Sequence, residues 1–330
     1  MPASRERLGL GFAGLCALNG AFVPAFAVLT TARADALFVA AVSSLFAATT
    51  ALVVLALRGE IGVLVRRDQG PWLMLIGLLG TALAHGLFFL GAERTSAIET
   101  ALCVQIEPVY SLIFSRIFLG HPVTRRRLLA AVVALSGIAL AIGAYRAHLG
   151  AGVLLLLATP LCWQSSHIVV LRKLRGISPP VLTGARYVYG GLLLSLFFTA
   201  RALAGAPGAR VPARDVLHEL LPLLALQGVI LAYVGPNLWY QAISRLDLAR
   251  TTAIVVPSIP LLSFGASFLL LGEVATPMQW AGLALTAVGV LAFVTGPEAL
   301  QPGEHIPAPT APLITSTNEQ TPPERERRVG

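Results

Sequence analysis

Arg94-Thr-Ser-Ala-Ile-Glu-Thr-Ala101 and Leu246-Asp-Leu-Ala-Arg-Thr-Thr-Ala253 lie 152 residues apart, and that spacing holds without a gap from Ala92–Ala144 to Ser244–Gly296. Pro108 falls on Pro260, Ser111 on Ser263, Ser115 on Ser267, Leu119-Gly120 on Leu271-Gly272, Thr124 on Thr276 and Gly137 on Gly289. Both copies sit in strongly apolar sequence, so the chain reads as an internally duplicated membrane protein. Duplication of this kind commonly builds a transporter, with the substrate held between the halves.

Composition agrees with that reading. Mean hydropathy is +0.77, 56% of residues are hydrophobic and 12% are charged. A soluble protein of 330 residues could not cover its surface with so few charges. The net charge of +8 comes from 23 arginines and the single lysine, Lys173. These residues fall in short gaps between apolar runs, where they report membrane orientation and not nucleic acid. Cys16, Cys103 and Cys162 lie inside apolar segments without metal-ligand spacing, so neither a metal nor a cofactor is expected.

A spanning helix needs about 20 mostly apolar residues. Ten segments qualify: Leu8–Leu29, Asp35–Leu57, Pro71–Gly91, Ser96–Phe118, Leu128–Tyr145, Ala151–Leu171, Val181–Ala200, Glu219–Gln241, Thr251–Leu271 and Pro277–Gly296. The first has the look of a signal peptide, with Arg5 and Arg7 before it and Ala25-Phe26-Ala27 near its end. It is too long for a signal h-region and nine spans follow, so it is expected to stay as a helix. With the N-terminus inside, sixteen basic residues fall on the cytoplasmic side and six on the other, which sets both termini in the cytoplasm. Arg116 and Arg186 remain, each near enough to a cytoplasmic helix end to snorkel.

The fold class expected is therefore all-α and integral to the cell (plasma or inner) membrane, with ten transmembrane helices. Two five-helix repeats cover residues 1–146 and 147–296, followed by a disordered, proline-rich cytoplasmic tail at 297–330 with seven prolines. Five is an odd number, so the second repeat must run through the membrane upside down relative to the first. Such inverted repeats underlie alternating access.

Several stretches resemble the EamA-type repeat of the drug/metabolite transporter superfamily. They are Arg94-Thr-Ser-Ala, Glu107-Pro108-Val109-Tyr110, Phe118-Leu119-Gly120-His121 and Gly137-Ile138-Ala139-Leu140 in the first copy, with Pro260, Leu271-Gly272-Glu273 and Gly289-Val290-Leu291 in the second. Leu161-Cys162-Trp163, Arg172-Lys173 and Ser178-Pro179 are similar to the start of that family's second half. The resemblance covers Leu8 to Gly296 and implies ten helices around a central cavity, and export of small metabolites or amphipathic compounds. Two positions depart from the family pattern. His121 stands where the family commonly has Glu, and Ser43 or Ser44 stands where it often has an arginine early in the second helix.

Polar residues at bilayer depth are the candidate site, because a charge there costs about 2.5–3.5 kcal/mol on insertion scales. Thr100, Glu107, Ser111 and Ser115 recur at helical spacing and form one stripe. Glu107 is the candidate for substrate contact and for proton coupling, against a purely structural glutamate at a kink. Pro108 and its counterpart Pro260 are expected to mark helix irregularities. His85, one turn beyond Thr81, is the second coupling candidate. Asn19 is either interhelical glue or a substrate contact, on a helix whose Gly9, Ala13, Ala17, Ala21 and Ala25 form a small-residue stripe. Trp163 and His167 share one face, and Tyr233 and Asn237 another beside Gly235-Pro236. One acid, two histidines and several aromatics suit a small organic solute, with a proton as candidate coupling ion. The partners expected are that solute and the lipid bilayer, with no nucleic acid, for a monomer or homodimer.

A membrane-embedded enzyme would need a catalytic cluster. The sequence has no His-Glu-x-x-His, no aspartate-rich pair and no Gly-x-Ser-x-Gly. It has no P-loop either, so transport would be secondary. A membrane enzyme, or a receptor or scaffold without transport, is the competing reading.

Overall fold

The computed structural model describes residues 2–120, 123–143, 150–246 and 248–294. The tail at 297–330 and His121 lie outside these residues. The described residues form helices joined by short turns, with no strand among them. Numbered in chain order, the helices are α1 Pro2–Thr31, α2 Ala36–Leu57, α3 Gly70–Ala92, α4 Ala97–Leu119, α5 Arg125–Ala141, α6 Ala151–Lys173, α7 Pro179–Leu203, α8 Arg214–Leu246, α9 Leu248–Leu271 and α10 Pro277–Val294.

Eight of these helices, all but α5 and α10, are long and apolar enough to cross a membrane. Of the other two, α10 carries a shorter apolar run, Pro277–Ala292, and α5 opens on three arginines. The ends of the fifth and tenth expected segments, Tyr145 and Gly296, lie outside the described residues. Large apolar side chains such as Leu57, Val53, Leu196, Phe197 and Leu269 are exposed along the helices. In water such a surface would aggregate, whereas in lipid it is the contact face.

Local chemistry sets the helix ends. The Asp35 carboxylate accepts from the Leu37 and Phe38 nitrogens at 2.9 and 3.0 Å, which satisfies the free donors opening α2. Ser96 and Glu99 form a reciprocal capping box at the start of α4. Two more donors of α4 are met from far along the chain: Glu273 accepts from the Ala97 and Ile98 nitrogens at 2.9 and 3.1 Å. Gly272, at φ 68°, makes the left-handed turn that ends α9 and brings Glu273 there, and Gly120 ends α4 the same way at φ 74°. Leu271-Gly272-Glu273 is therefore a clasp between the C-terminus of one helix and the N-terminus of another. Glu273→Ala is expected to lose about 1 kcal/mol of stability. The loss should appear as a lower unfolding temperature in detergent, and an unchanged temperature would remove the clasp.

Packing follows small residues. The α1 stripe is buried as expected, with Ala13, Ala21 and Ala25 at 0% exposure and Ala17 at 2%, largely against α8 and α9. Helix α2 packs on α7, and α3 lies between α6 and α7. Helix α5 packs along α10. At that seam a Cβ on Gly137 would fall onto the Thr286 nitrogen and 2.7 Å from the Gly282 oxygen. A Cβ on Gly289 would fall onto the Ala134 nitrogen and 2.8 Å from the Ala130 oxygen. The backbones touch, and only glycine permits it.

Three helices depart from α geometry. Within α3 the stretch Leu78–Leu83 is π-helical, and within α8 so is Gln227–Val234. In α4 the turn Val104–Ile106 is a 3-10 turn immediately before Glu107-Pro108, with the Glu107 nitrogen donating to the Val104 oxygen. Helix α9, by contrast, runs unbroken through Pro257 and Pro260. A proline in a helix removes one donor and crowds the turn before it, and α4 and α9 absorb that differently.

Candidate functional site

The site is built where α3, α4, α6 and α7 converge. Gly80, inside the π-helical stretch of α3, is the permissive position: a Cβ there would lie 2.8 Å from Arg186 Nε and 2.8 Å from Ser166 Oγ. Without that Cβ, the Arg186 side chain of α7 reaches the α3 backbone, and its Nη2 donates to the Gly80 oxygen at 2.9 Å. Arg186 therefore turns inward instead of snorkelling to the cytoplasmic interface. The inward course is open to it because π-bulges offer extra carbonyl acceptors to neighbouring helices.

Glu107 faces the same region from α4. Its Oε1 accepts from Gln164 Nε2 of α6 at 2.8 Å, which joins two helices by side chains 57 residues apart in sequence. The Arg186 charge acts on Glu107, His85, His167, Tyr187 and Tyr240, so these groups share one electrostatic environment. His167 of α6 keeps a large accessible area. Glu107, Gln164 and Arg186 are each half-buried. An acid, a guanidinium, an amide and an imidazole on converging helices are the groups that can orient a small polar solute.

Other candidates fall at its edge or away from it. His85 Nδ1 lies 3.2 Å from Ser44 Oγ of α2, and its ring packs near Phe89 and Tyr187 at 6.1 and 5.7 Å between centroids. Thr81 is fully buried, its Oγ1 has no hydrogen-bond partner, and it packs against Gly190 of α7. Trp163 turns toward α3, with its ring 6.3 Å from that of Phe88. Asn19 donates from Nδ2 to the Ile230 oxygen of α8 at 2.8 Å, the geometry of interhelical glue. Tyr233 is 5% exposed in an apolar cluster with Ala47, Ala48, Ala51 and Tyr187. Asn237 donates to the Tyr233 oxygen one turn back in its own helix at 2.8 Å. The structure thus places Glu107, His85 and His167 within range of the Arg186 charge, and leaves Asn19, Tyr233 and Asn237 in helix packing.

One further pattern ties the two π-helical stretches. Tyr187, the neighbour of Arg186, donates from Oη to the Ala232 oxygen of α8 at 3.0 Å. Pro236 has no N–H to give to that oxygen, so an outside donor is needed. Ala232 and Gly80 lie 152 positions apart in the sequence. Adjacent residues of α7 thus bind matching carbonyls in α3 and α8. Arg186, Tyr187 and Gln164 were not among the expected site residues; the charge of Arg186 seven positions into α7 was the only sequence signal of the three.

The model of the EamA-like transporter family matches residues 7–143 and 150–295. A protein of Streptantibioticus cattleyicolor, named a probable terminal-alkyne amino-acid exporter, is 29% identical over 257 residues, which cover 76% of this chain and 81% of that protein. The uncharacterized transporter YyaM of Bacillus subtilis is 23% identical over 256 residues, covering 74% of this chain and 80% of YyaM. A solved crystal structure at 19% identity shares the fold, with a TM-score of 0.58 over 88% of this chain and 96% of the other.

Proposed function

Because the chain belongs to the EamA-like transporter family, we propose that this membrane protein is a secondary transporter that exports amino acids or related small metabolites by alternating access. The observation that carries the reading is the pairing of Glu107 with Gln164 across α4 and α6, beside an Arg186 turned inward onto the Gly80 carbonyl, among apolar helices. Ionisable groups at such depth mark substrate or ion pathways, since their cost must be met by function or by pairing. The amino-acid class rests on the name of the relative from Streptantibioticus cattleyicolor and on the presence of both an acid, Glu107, and an unpaired guanidinium, Arg186, to meet the two charges of an amino acid.

In this reading ten helices span the membrane as two inverted five-helix repeats, one in residues 1–146 and one in 147–296. Reciprocal packing supports the repeat. Gly137 abuts residues 282 and 286, while its counterpart Gly289 abuts residues 130 and 134, which are the counterparts of 282 and 286. A self-complementary seam of this kind is what a two-fold axis produces. The π-helical stretches support it too, because Leu78–Leu83 shifted by 152 overlaps Gln227–Val234.

Glu107 serves as proton-exchanging or cation-pairing group, and His85 as a gate or relay beside it. Asn19, Thr81, Trp163, Tyr233 and Asn237 support the helices that frame the path. The test is solute movement by purified protein in liposomes, read together with chemical analysis of the solute. Movement of unchanged amino acids supports the reading, and chemical turnover would replace it with an enzyme.

Topology gives a separate check. Reporter fusions after Arg67, Arg127 and Gly296 are expected to report cytoplasm, and fusions near Gly150 and Gly208 the outer face. Reversal at any two of these sites would overturn the inverted arrangement.

A further inference from the structure

Arg186 poses a problem of charge that the rest of the structure does not solve. Its guanidinium carries five donors in a rigid fork. One of them, Nη2, donates to the Gly80 oxygen. The Nε is buried against the Gly80 backbone without a partner. Nη1 donates to no described residue, so the outer end of the fork is open. No carboxylate lies within ion-pair distance of it among the described residues. Glu107, the acid in electrostatic range, is instead hydrogen-bonded to Gln164. A neutral carbonyl can orient a guanidinium, but it does not neutralise one.

We infer that Arg186 is the anion-binding residue of this site and that the carried solute presents a carboxylate to the open end of its fork. The inference rests on the transport reading for the word carried, and on geometry for the rest. Three observations favour it. The Gly80 carbonyl fixes one edge of the guanidinium, so the bidentate face is oriented before the solute arrives, and bidentate carboxylate pairing is the strongest use of that face. Glu107, held by Gln164, adds no competing pair to the fork. An unpaired cation deep in an apolar bundle also resists loss of water, so an arriving carboxylate makes closure over the solute easier. The residue thereby selects the substrate and favours the occluded state only when it is loaded.

The test uses the full-length purified protein and matched pairs of probes. The acids are leucine, phenylalanine and butyrate; the controls are leucinamide, phenylalaninamide and butyramide, at equal ionic strength. Binding is read by thermal shift and by calorimetry. At least one acid is expected to bind while its amide does not. Arg186→Gln should weaken that binding by about tenfold or more, because a charge-assisted hydrogen bond is lost. Glutamine can still donate to the Gly80 oxygen, so the helices should stay in place. Arg186→Lys keeps the charge without the fork and should give intermediate affinity; it decides the matter if Arg186→Gln fails to fold.

Failure of all three acids to bind would overturn the assignment. Equal binding of the amides would too, as would unchanged affinity in both variants. If liposomes move a neutral or cationic solute while no acid binds, transport stands and the anion site falls. If acids bind through Arg186 but no solute moves, the anion site stands and transport falls.

Discussion

Replacing Glu107 with glutamine is expected to leave a folded, monodisperse protein whose transport is lowered by about a hundredfold or more, the lower end of what a positioned proton-transferring group contributes. The hydrogen bond to Gln164 explains the first half. Gln164 Nε2 donates to Glu107 Oε1 at 2.8 Å, and the side-chain oxygen of an amide accepts that bond as well as a carboxyl oxygen does. The link between α4 and α6 therefore survives. What is lost is the ability to give up or take a proton, or to pair with a cationic group of the solute. With protons as the coupled ion, wild-type uptake in liposomes varies with pH and the variant's profile is flat. His85→Ala should show a milder loss, because His85 bonds Ser44 on α2 and takes no part in the Glu107–Gln164 pair. Full activity of Glu107→Gln with an unchanged pH profile would reduce Glu107 to a structural residue at the 3-10 turn.

Much of this architecture is legible in the sequence, and the part that is not has physical causes. The 152-residue spacing matches Gly137 with Gly289, but that both lie where the backbones of α5 and α10 touch is visible only in the structure. Glu107 stood out because a charge in an apolar run is rare. Arg186 was harder: seven residues from a helix end, it can reach either the interface or the interior. The deciding residue is Gly80, 106 positions away on another helix. The π-helical stretches left no mark either, since Leu78–Leu83 is apolar in any register and the extra residue in the turn has no side-chain signature. Tyr233 and Asn237 looked like a cavity face from α8 alone. The alanines at 47, 48 and 51 of α2 leave a space of tyrosine size, and that information lies on the partner helix. Periodicity on one helix shows which residues share a face, while the neighbour decides what that face meets.

The α5–α10 seam should be the most sensitive packing in the molecule. Gly137→Ala and Gly289→Ala are each expected to cost about 1–3 kcal/mol, the range for overpacked cores. Leucine at either position should leave little folded protein. The reason is the identity of the obstacle. The added methyl meets main-chain atoms, the Thr286 nitrogen and Gly282 oxygen from one side and the Ala134 nitrogen and Ala130 oxygen from the other. Main-chain atoms cannot rotate away, so the helices must separate. A control isolates this cause. A Cβ on Gly265, also within a helix, meets nothing within 4 Å. There alanine is expected to be neutral or to stabilise by up to about 1 kcal/mol through its better helix propensity. The double variant tests the symmetry of the seam. Gly137 and Gly289 press on the same pair of helices, so once the first methyl has parted them the second has less to displace, and the combined cost should fall short of the sum. Unfolding temperatures by fluorescence-detected gel filtration would measure all four proteins. A wild-type temperature for either single alanine variant would mean the backbones do not touch, and strict additivity would mean the two contacts are not one seam.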